Sequence, residues 1–274
     1  MFGYKRAAAA IFGLEMPLTD LVGPDGAWPK IPGIGPGSAR VIREVLETGG
    51  SLTVEQAIEA SDRRADIQRR RLLRQHFLSR AEVLRVLLDP AFTGPTIDQY
   101  HGDLQMHSEW SDGSPTVQEI AEACLERGYQ YSAVTDHSYG LQIAGGMTMD
   151  EAVLQRTAID AVNARYGTRF TLLQGIEANI DAAGQLDLTD DEAATFDVVL
   201  AAPHSRLGRS EDQTDRMLAA VAHPAVRILA HPRGRMSGSR AGVMADWHAV
   251  FAAAAERRVA IEIDGDPARQ DLDH

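Results

Sequence analysis

Short apolar runs alternate with helical patterns through the last two thirds of the chain. Apolar runs typical of buried strands lie at 103–106, 130–135, 170–176, 196–202, 226–230 and 259–263. Patterns of helical period separate most of them, at 116–127, 149–165, 212–222 and 243–257. Strands that alternate with helices form a parallel sheet covered by those helices. The sequence therefore predicts an α/β domain whose strands close, or nearly close, into a barrel.

The first hundred residues have a different pattern, because their apolar positions follow helical periods. An Ala-rich helix is predicted at 4–14, and turns are predicted at 23–36, where Gly and Pro are dense. Further helices are predicted within 54–89, a region rich in Arg. The predicted organisation is a small all-α domain at 1–90, a linker at 91–101 and the α/β domain at 102–274.

Composition narrows the class of protein. The 274 residues are 44% hydrophobic and 24% charged, as in ordinary globular proteins. No apolar run approaches the roughly 20 residues that span a bilayer, and Lys5 and Arg6 are interpreted as part of an ordinary helix rather than of a signal peptide. We therefore expect a cytoplasmic protein with no membrane partner. Cys124 is the single cysteine, which excludes an internal disulfide and a cysteine-based zinc site.

Charge is unevenly divided between the two predicted domains. Residues 1–100 hold 13 Lys and Arg against 12 Asp and Glu, whereas residues 101–274 hold 14 against 27. An acidic domain fits a carboxylate-rich site that binds cations, and it disfavours a non-specific grip on nucleic acid by that domain. The arginines within 54–89 fit either a solvated helix face or DNA contact, because Asp62 and Asp66 lie among them.

Five predicted strands end in an imidazole or a carboxylate. These residues are His107, Asp136 with His137, Glu177, His204 and His231. In a β/α barrel such ends meet on one face, and His with Asp or Glu is a ligand set for zinc, manganese or iron. A single histidine after a strand is more often structural, but five equivalent positions favour a metal centre. The remaining helical and linker histidines are not assigned to it: His76, His101, His223 and His248.

A second candidate site precedes the α/β domain. Residues 31–39 read Ile-Pro-Gly-Ile-Gly-Pro-Gly-Ser-Ala and lead into a helix at 40–48. Glycines permit tight turns and close backbone approach, and a helix N-terminus attracts anions. The segment at about 28–48 resembles the helix-hairpin-helix motif, which implies non-specific binding of DNA backbone phosphate by Gly33, Gly35, Gly37 and Arg40. The alternative is a Gly-rich turn before an ordinary helix.

Residues 102–264 resemble the PHP (polymerase and histidinol phosphatase) family. The motifs are Asp-Leu-x-x-His-Ser at 103–108, Ser-Asp-Gly at 111–113, Thr-Asp-His-Ser at 135–138, Gly-Ile-Glu at 175–177, His-Ser at 204–205 and Ala-His-Pro at 230–232. The resemblance implies a distorted seven-stranded β/α barrel that hydrolyses phosphoesters. It also implies two or three divalent metal ions, Zn²⁺ or Mn²⁺ with Fe²⁺ as a further candidate, that activate water. With the helix-hairpin-helix segment, the resemblance extends to bacterial family X DNA polymerases, whose PHP domains act as 3′–5′ exonucleases and phosphatases.

The resemblance also implies roles for individual residues. Glu177 bridges two metals, and Asp112 shares the catalytic role. The implied metal ligands are Gln105, His107, Asp112, His137, Glu177, His204 and His231. Asp136 is interpreted as a support for ligands rather than as a ligand. Arg206 and Arg233 follow site histidines and are candidates for binding substrate phosphate as bidentate donors, with ordinary surface charge as the alternative.

Two departures from the family pattern affect the expected function. The family has a histidine where this chain has Gln105, and a neutral amide is a poor zinc ligand. The family's final Asp-x-His strand is not found, because no apolar run precedes the similar spacing at 271–274; we expect that strand to be missing. Polymerase activity is also not expected, because residues 50–100 are too few for a polymerase palm.

Three functions remain open. The first is hydrolysis of DNA as a 3′–5′ exonuclease or end phosphatase, favoured by the helix-hairpin-helix segment. The second is a small-molecule phosphatase of the histidinol-phosphatase type, favoured by the acidic domain. The third is an inactive DNA-bound scaffold.

Overall fold

The chain divides into two compact units, Met1–Gly94 and Pro95–His274. The structure is a computed structural model that describes residues 2–23 and 27–272. The first unit is helical, with one 3₁₀ turn at Leu18–Leu21. Its helices are α1 (Phe2–Phe12), α2 (Pro36–Thr48), α3 (Leu52–Glu59), α4 (Arg64–Leu72) and α5 (Arg80–Leu87).

Local side-chain bonds fix where two of the three helices α3, α4 and α5 begin. Ser51 caps α3 by accepting the Val54 N–H at 3.3 Å, and such a cap satisfies one of the free donors at a helix start. Ser79 and Glu82 form a reciprocal capping box at the start of α5. The arginines of α4 are partly neutralised within the helix, because Asp66 forms ion pairs at 3.1–3.5 Å with Arg63, Arg69 and Arg70.

The second unit is built on a six-stranded parallel sheet whose strands follow chain order. The strands are β1 (Gly102–Asp103), β2 (Tyr131–Val134), β3 (Thr171–Asn179), β4 (Val198–Ala202), β5 (Val226–Leu229) and β6 (Ala260–Ile261). The helices of this unit are α6 (Val117–Glu126), α7 (Met149–Tyr166), α8 (Asp190–Ala193), α9 (Thr214–Ala222) and α10 (Trp247–Arg257). This order is that of a barrel wall, and the sheet forms a half-barrel in which the described residues of β1 and β6 do not pair.

Strand β4 shows that both faces of the sheet are buried. Val198, Leu200 and Ala202 contribute to one apolar cluster together with residues of β2 and β5. Val199 and Ala201 point to the opposite face and contribute to the cluster that includes α9 and α10. Both faces of a parallel strand are apolar when helices cover one side and the barrel interior lies on the other. The continuous apolar runs in the sequence reflect this double burial.

The predicted α/β class and parallel sheet are confirmed, and each of the six predicted strand runs overlaps an observed strand. The first and last strands have two residues each and are shorter than the predicted runs, because only these residues pair with the neighbouring strand. The short helix α8 was not predicted; Thr189 and Glu192 form its capping box. Among the described residues, no helix is long and apolar enough to cross a membrane.

Candidate metal centre

Glu177 lies near the end of β3 and is almost completely buried, with 1% of its surface exposed. The chain after β2 continues alongside β3, because Glu177 N–H donates to the Asp136 carbonyl at 3.0 Å and Ser138 N–H donates to the Glu177 carbonyl at 3.1 Å. This pairing brings His137 next to Glu177 in a parallel bridge. Backbone pairing beyond the regular strand therefore positions two of the predicted site residues.

Four side chains converge on the two carboxylate oxygens of Glu177. Oε1 lies 2.8 Å from His231 Nε2 and 3.0 Å from His204 Nε2. Oε2 lies 2.6 Å from Gln105 Nε2 and 3.2 Å from His107 Nε2. These partners come from the ends of β1, β4 and β5, so the parallel sheet brings residues far apart in the chain to one carboxylate.

His137 connects this group to Asp112. His137 Nδ1 is 3.7 Å from Glu177 Oε2, and His137 Nε2 is 3.6 Å from Asp112 Oδ1. The rings of His107 and His137 stack with their centroids 4.4 Å apart. Two sets of three residues have ligand atoms within 4.8 Å of one another: His107, Asp112 and His137, and His137, Glu177 and His204. The histidines left unassigned from sequence belong to neither set.

Asp136 holds the loop that carries His107 and Asp112. Its fully buried carboxylate accepts bonds from Ser108 N at 2.8 Å, Ser108 Oγ at 2.6 Å and Ser111 Oγ at 2.5 Å. A further bond comes from Gln155 Nε2 of α7 at 2.6 Å. Both carboxylate oxygens of Asp136 accept hydrogen bonds from these donors, so Asp136 positions the loop and is not free to act as a metal ligand. Sequence reasoning missed Gln155, since a polar residue inside a helical pattern carries no signal of its burial.

Gly113 lets the same loop close tightly on His107. A Cβ atom at this position would lie 2.3 Å from the His107 carbonyl oxygen. Only glycine permits such a close backbone approach. The glycine of the Ser-Asp-Gly sequence is therefore required by the path of the loop, independently of any ligand.

The site places one anion among several imidazoles. Burial opposes the charge on Glu177, but hydrogen bonds from His107, His204 and His231 outweigh it and hold the pKa of Glu177 well below its ordinary value. Burial also opposes the charged forms of His107 and His231, but the bond to Glu177 raises the pKa of both. Burial lowers the pKa of His137. The nearby imidazoles lower this pKa further, and the Glu177 carboxylate opposes the shift. The anion is thus stabilised by cationic or hydrogen-bonding partners on all sides.

The donor set fits divalent metal ions. In each of the two sets, imidazole nitrogens and carboxylate oxygens lie within 4.8 Å of one another, close enough to share one ion. Buried lone-pair atoms also lack hydrogen-bond partners: Gln105 Oε1, His107 Nδ1 and His231 Nδ1. The amide orientation of Gln105 is interchangeable, because its nitrogen and oxygen have nearly the same shape. Turned about, the Gln105 amide presents its oxygen to the centre as a weak ligand.

A cleft of about 960 Å³ opens over this centre. All seven predicted metal-site residues line it. Glu262 and Asp264, just after β6, line it as well, and sequence reasoning missed them. Glu262 accepts the His231 backbone N–H, and burial raises the pKa of Glu262. The signal for these residues was the Ile-Glu-Ile-Asp alternation at 261–264, where a predicted strand again ends in carboxylates.

The two predicted phosphate-binding arginines are not brought to this cleft. Arg206 pairs with Glu211 at 2.6 Å and is partly exposed. The Arg233 guanidinium donates to the Ala241 carbonyl at 3.2 Å. Neither is among the described residues that line the cleft.

The C-terminal Asp-Leu-Asp-His sequence at 271–274 falls partly outside the described residues, because Asp273 and His274 lie there. Asp271 itself is completely buried and accepts the Arg233 backbone N–H at 3.3 Å. It therefore holds the loop after β5. The sequence did not indicate this structural role, because no apolar run suggests that residue 271 is buried.

The candidate DNA site in the first unit is a tight turn before α2. Gly33 has a φ of +90°, and a Cβ there would lie 3.3 Å from the Arg6 carbonyl oxygen. Gly35 precedes the first residue of α2 without a side-chain cap. Gly37 has open space where a side chain would be, and Arg40 is exposed on the next turn.

The sequence matches known proteins of two kinds. It is 42% identical over 177 residues to the "DNA polymerase/3'-5' exonuclease PolX" of Bacillus subtilis, a match that covers 64% of this chain and 31% of PolX. It is 31% identical over 172 residues to a "Probable phosphatase" of Serratia proteamaculans, covering 60% of this chain and 64% of that protein. A "Probable phosphatase" of Acetivibrio thermocellus is 31% identical over 127 residues, covering 43% of this chain and 47% of that protein. No family model matches the sequence.

A solved structure from Listeria monocytogenes, whose assignment as a histidinol phosphatase is itself provisional, has a TM-score of 0.44 and 11% identity. It covers 60% of this chain and 82% of that one, and this likeness is too distant to support an inference.

These matches and the convergent His and carboxylate residues define the class: the chain is a relative of the PHP-domain proteins. Within that class it is related to PolX, as the sequence motifs predicted. The chain spans about a third of the length of PolX and about half to two thirds of the length of the two phosphatases.

Proposed function

We propose that this chain is a metal-dependent phosphoesterase of the PHP type. The observation that carries the proposal is the convergence of His107, His204 and His231 on the buried Glu177 carboxylate, at 2.8–3.2 Å. A cluster of buried ionisable groups with shifted pKa values, at the open end of a parallel sheet, is typical of a functional site. The "Probable phosphatase" relatives support the same class of reaction.

Each residue of the centre has a task in this mechanism. Glu177 with His107, His204 and His231 would hold two metal ions, and Asp112 with His137 would hold a third. Bound divalent ions supply the Lewis acid that activates water and neutralises phosphoryl oxygens. Asp112 lines the cleft with half of its side chain exposed, so the carboxylate oxygen that does not face His137 could accept a proton from water. Asp136 keeps Asp112 in place through Ser111.

The test of this function is metal-dependent hydrolysis. The purified chain is stripped of metal, reloaded with Mn²⁺ or Zn²⁺, and assayed with p-nitrophenyl phosphate and with thymidine 5′-(p-nitrophenyl phosphate). Hydrolysis that appears on reloading and disappears with a chelator supports the proposal. Failure to bind metal, measured by elemental mass spectrometry, contradicts it and favours a scaffold.

We propose further that the phosphoester is part of DNA and that the segment at 28–48 is a helix-hairpin-helix that binds the backbone. The name of PolX describes it as a DNA polymerase and 3′-5′ exonuclease, and this supports a DNA substrate. The Gly-rich turn before α2 supports a phosphate contact, because Gly35 leaves the first-turn amides without a side-chain cap. Removal of nucleotides or a terminal phosphate from the 3′ end of labelled DNA is the expected activity.

A charge substitution tests the DNA contact. Gly35→Asp places a carboxylate where phosphate is proposed to bind, in open space and at a helix-cap position that favours Asp. Gly50→Asp adds the same charge after the other end of α2, also in open space, and is the matched control. We expect DNA affinity to fall about tenfold or more for Gly35→Asp relative to Gly50→Asp. Equal affinities would remove the support for this DNA site.

The second candidate, a small-molecule phosphatase, is favoured by the acidic α/β domain and by the names of the phosphatase relatives. In that case Gly35→Asp leaves hydrolysis of p-nitrophenyl phosphate unchanged, and DNA ends are not hydrolysed by the wild-type chain.

A further inference from the structure

Two arginines outside the sequence predictions line the same cleft as the metal-site residues. Arg240 lies in the loop that follows β5, and Arg269 lies in the loop that follows β6. Both loops leave the carboxyl end of the sheet, because β5 leads into His231 and β6 leads into Glu262. Arg240 and Arg269 therefore belong to the walls of the cleft that holds the centre.

Backbone hydrogen bonds fix these two loops to each other. Ser237 N–H donates to the Ala268 carbonyl at 2.8 Å. Within the first loop, Met236 and Arg240 form a bridge, with Met236 N–H donating to the Arg240 carbonyl at 3.0 Å. Within the second loop, Asp264 and Asp271 form another bridge. The positions of both arginines are thus set by the backbone.

The charges of the two arginines are only partly neutralised. Arg240 Nε donates to the Gly234 carbonyl at 2.7 Å, and Arg240 forms no ion pair with any carboxylate in the described part of the chain. Arg269 Nε is 3.8 Å from Asp264 Oδ2, which is too long for a hydrogen bond. Burial lowers the pKa of Arg240, and the positive charge of Arg269 lowers this pKa further. The carboxylate of Asp271 acts in the opposite direction. Two neighbouring cations in a cleft gain stability when an anion binds them.

A cationic patch is needed at this place because the surroundings are acidic. Residues 101–274 carry 14 Lys and Arg against 27 Asp and Glu, and five carboxylates line the cleft: Asp103, Asp112, Glu177, Glu262 and Asp264. These carboxylates repel a phosphate ester, and fixed positive charge beside them would add to that of bound divalent ions in opposing the repulsion. Guanidinium groups suit this task, since each offers two parallel N–H donors to phosphoryl oxygens.

We propose that Arg240 and Arg269 form a guanidinium pair that binds the phosphoryl group of the substrate beside the metal centre. This proposal rests on the proposed phosphoesterase function and names the residues that select its substrate. It replaces Arg206 and Arg233 in that role. Arg206 serves as the matched control, because its guanidinium pairs with Glu211 away from the cleft.

The first experiment compares Arg240→Gln and Arg269→Gln with Arg206→Gln in metal-loaded protein. KM for p-nitrophenyl phosphate and for thymidine 5′-(p-nitrophenyl phosphate), and the inhibition constant of orthophosphate, are measured for each. Loss of one charge-assisted bond, worth about 1.5–3 kcal/mol, raises these constants about 10- to 100-fold. We expect that increase for the two cleft arginines, with kcat changed less than about threefold and Arg206→Gln unchanged. Wild-type constants in both cleft variants, or an equal loss in Arg206→Gln, would overturn the proposal.

A binding measurement separates this proposal from the proposed activity. Calorimetric titration of the metal-loaded chain with orthophosphate needs no turnover. If the wild type hydrolyses neither ester but binds orthophosphate at least tenfold more tightly than the Arg240→Gln/Arg269→Gln double variant, the activity is wrong and the anion site is right. If the wild type and the double variant bind equally, the guanidinium pair is wrong whether or not the chain is active.

Charge-retaining variants guard against damage to the loops. Arg240→Lys and Arg269→Lys keep the charge but lose the paired donors. We expect them to retain part of the orthophosphate affinity that the glutamine variants lose, with a melting temperature close to that of the wild type. Equal loss in the lysine and glutamine variants, together with a lowered melting temperature in both, would assign the effect to the loops and overturn the proposal.

Discussion

Gln105 donates its side-chain amide to Glu177 Oε2 across 2.6 Å, from the end of β1 to the end of β3. The neutral amide thereby occupies a position on the central carboxylate equivalent to those of the imidazoles. The amide gives Glu177 a hydrogen bond, but it would be a weak metal ligand, since an amide oxygen has less affinity for zinc than an imidazole nitrogen. The strength of the ligand set therefore depends in part on which residue follows β1 at position 105.

Restoring an imidazole at this position should strengthen the centre. Gln105→His is expected to raise the bound metal per chain, or to raise metal affinity at least tenfold, because a better ligand replaces a weak one. Elemental mass spectrometry after dialysis against a metal buffer measures this. Gln130→His, at an exposed position, adds a histidine away from the cleft and should leave metal content unchanged. The same gain in both variants would mean that the added metal is bound non-specifically.

Removing the charge of the central carboxylate should abolish metal binding at the paired positions. Glu177→Gln keeps the shape of the side chain but replaces the anion that the imidazoles surround. We expect metal affinity and the rate of hydrolysis to fall by more than about 100-fold. Removing a residue that only hydrogen-bonds to a metal ligand can already cost up to about 100-fold, and Glu177 is itself a proposed ligand. Equilibrium dialysis and the ester assay measure the two effects. Glu122→Gln on the exposed face of α6 is the control, and full metal content in Glu177→Gln would refute the assignment.

Loss of Asp136 should loosen the loop that carries His107 and Asp112. Asp136→Asn replaces one acceptor oxygen with a donor amide facing Ser108 or Gln155. Leaving buried partners unsatisfied costs about 1–3 kcal/mol in the free energy of unfolding, and we expect metal affinity to fall about 10- to 100-fold. Urea denaturation and metal titration measure both. Asp160→Asn, on the exposed side of α7, should change neither, and an unaltered metal affinity in Asp136→Asn would separate this residue from the site.

A single methyl group should disturb the same loop. Gly113→Ala places a Cβ 2.3 Å from the His107 carbonyl oxygen, so the backbone must move. Such overpacking typically costs about 1–3 kcal/mol, and we expect a lower melting temperature and weaker metal binding. Gly208→Ala meets open space and should alter stability by no more than about 0.5 kcal/mol. Equal stability of the two variants would show that the loop accommodates a side chain at 113.

Strand positions were predictable because parallel strands buried on both faces leave continuous apolar runs in the sequence. The residues that follow these runs were predictable as a group for the same reason: His107, His137, Glu177, His204 and His231 all lie where the chain leaves the sheet. The supporting Gln155 was not predictable, because its hydrogen bond to Asp136 joins separate parts of the chain. The short helix α8 was overlooked although its capping box at Thr189 and Glu192 is local, because four residues are too few to show a helical period. Arg206 and Arg233 show the limit of local reasoning, since adjacency to a site histidine does not determine where a long side chain points.

The sequence by itself determined the α/β class, the order of its strands and the set of imidazoles and carboxylates at their ends. Apolar periodicity and residue chemistry are local properties, and they can be read without knowing what lies across the sheet. Only the tertiary structure decided that Glu177 is the common partner of these side chains and that Arg240 and Arg269, rather than Arg206 and Arg233, line the cleft. The physical reason is that loop paths after the strands are fixed by long-range hydrogen bonds, such as those of Asp136 and Asp271, which leave no periodic trace in the chain.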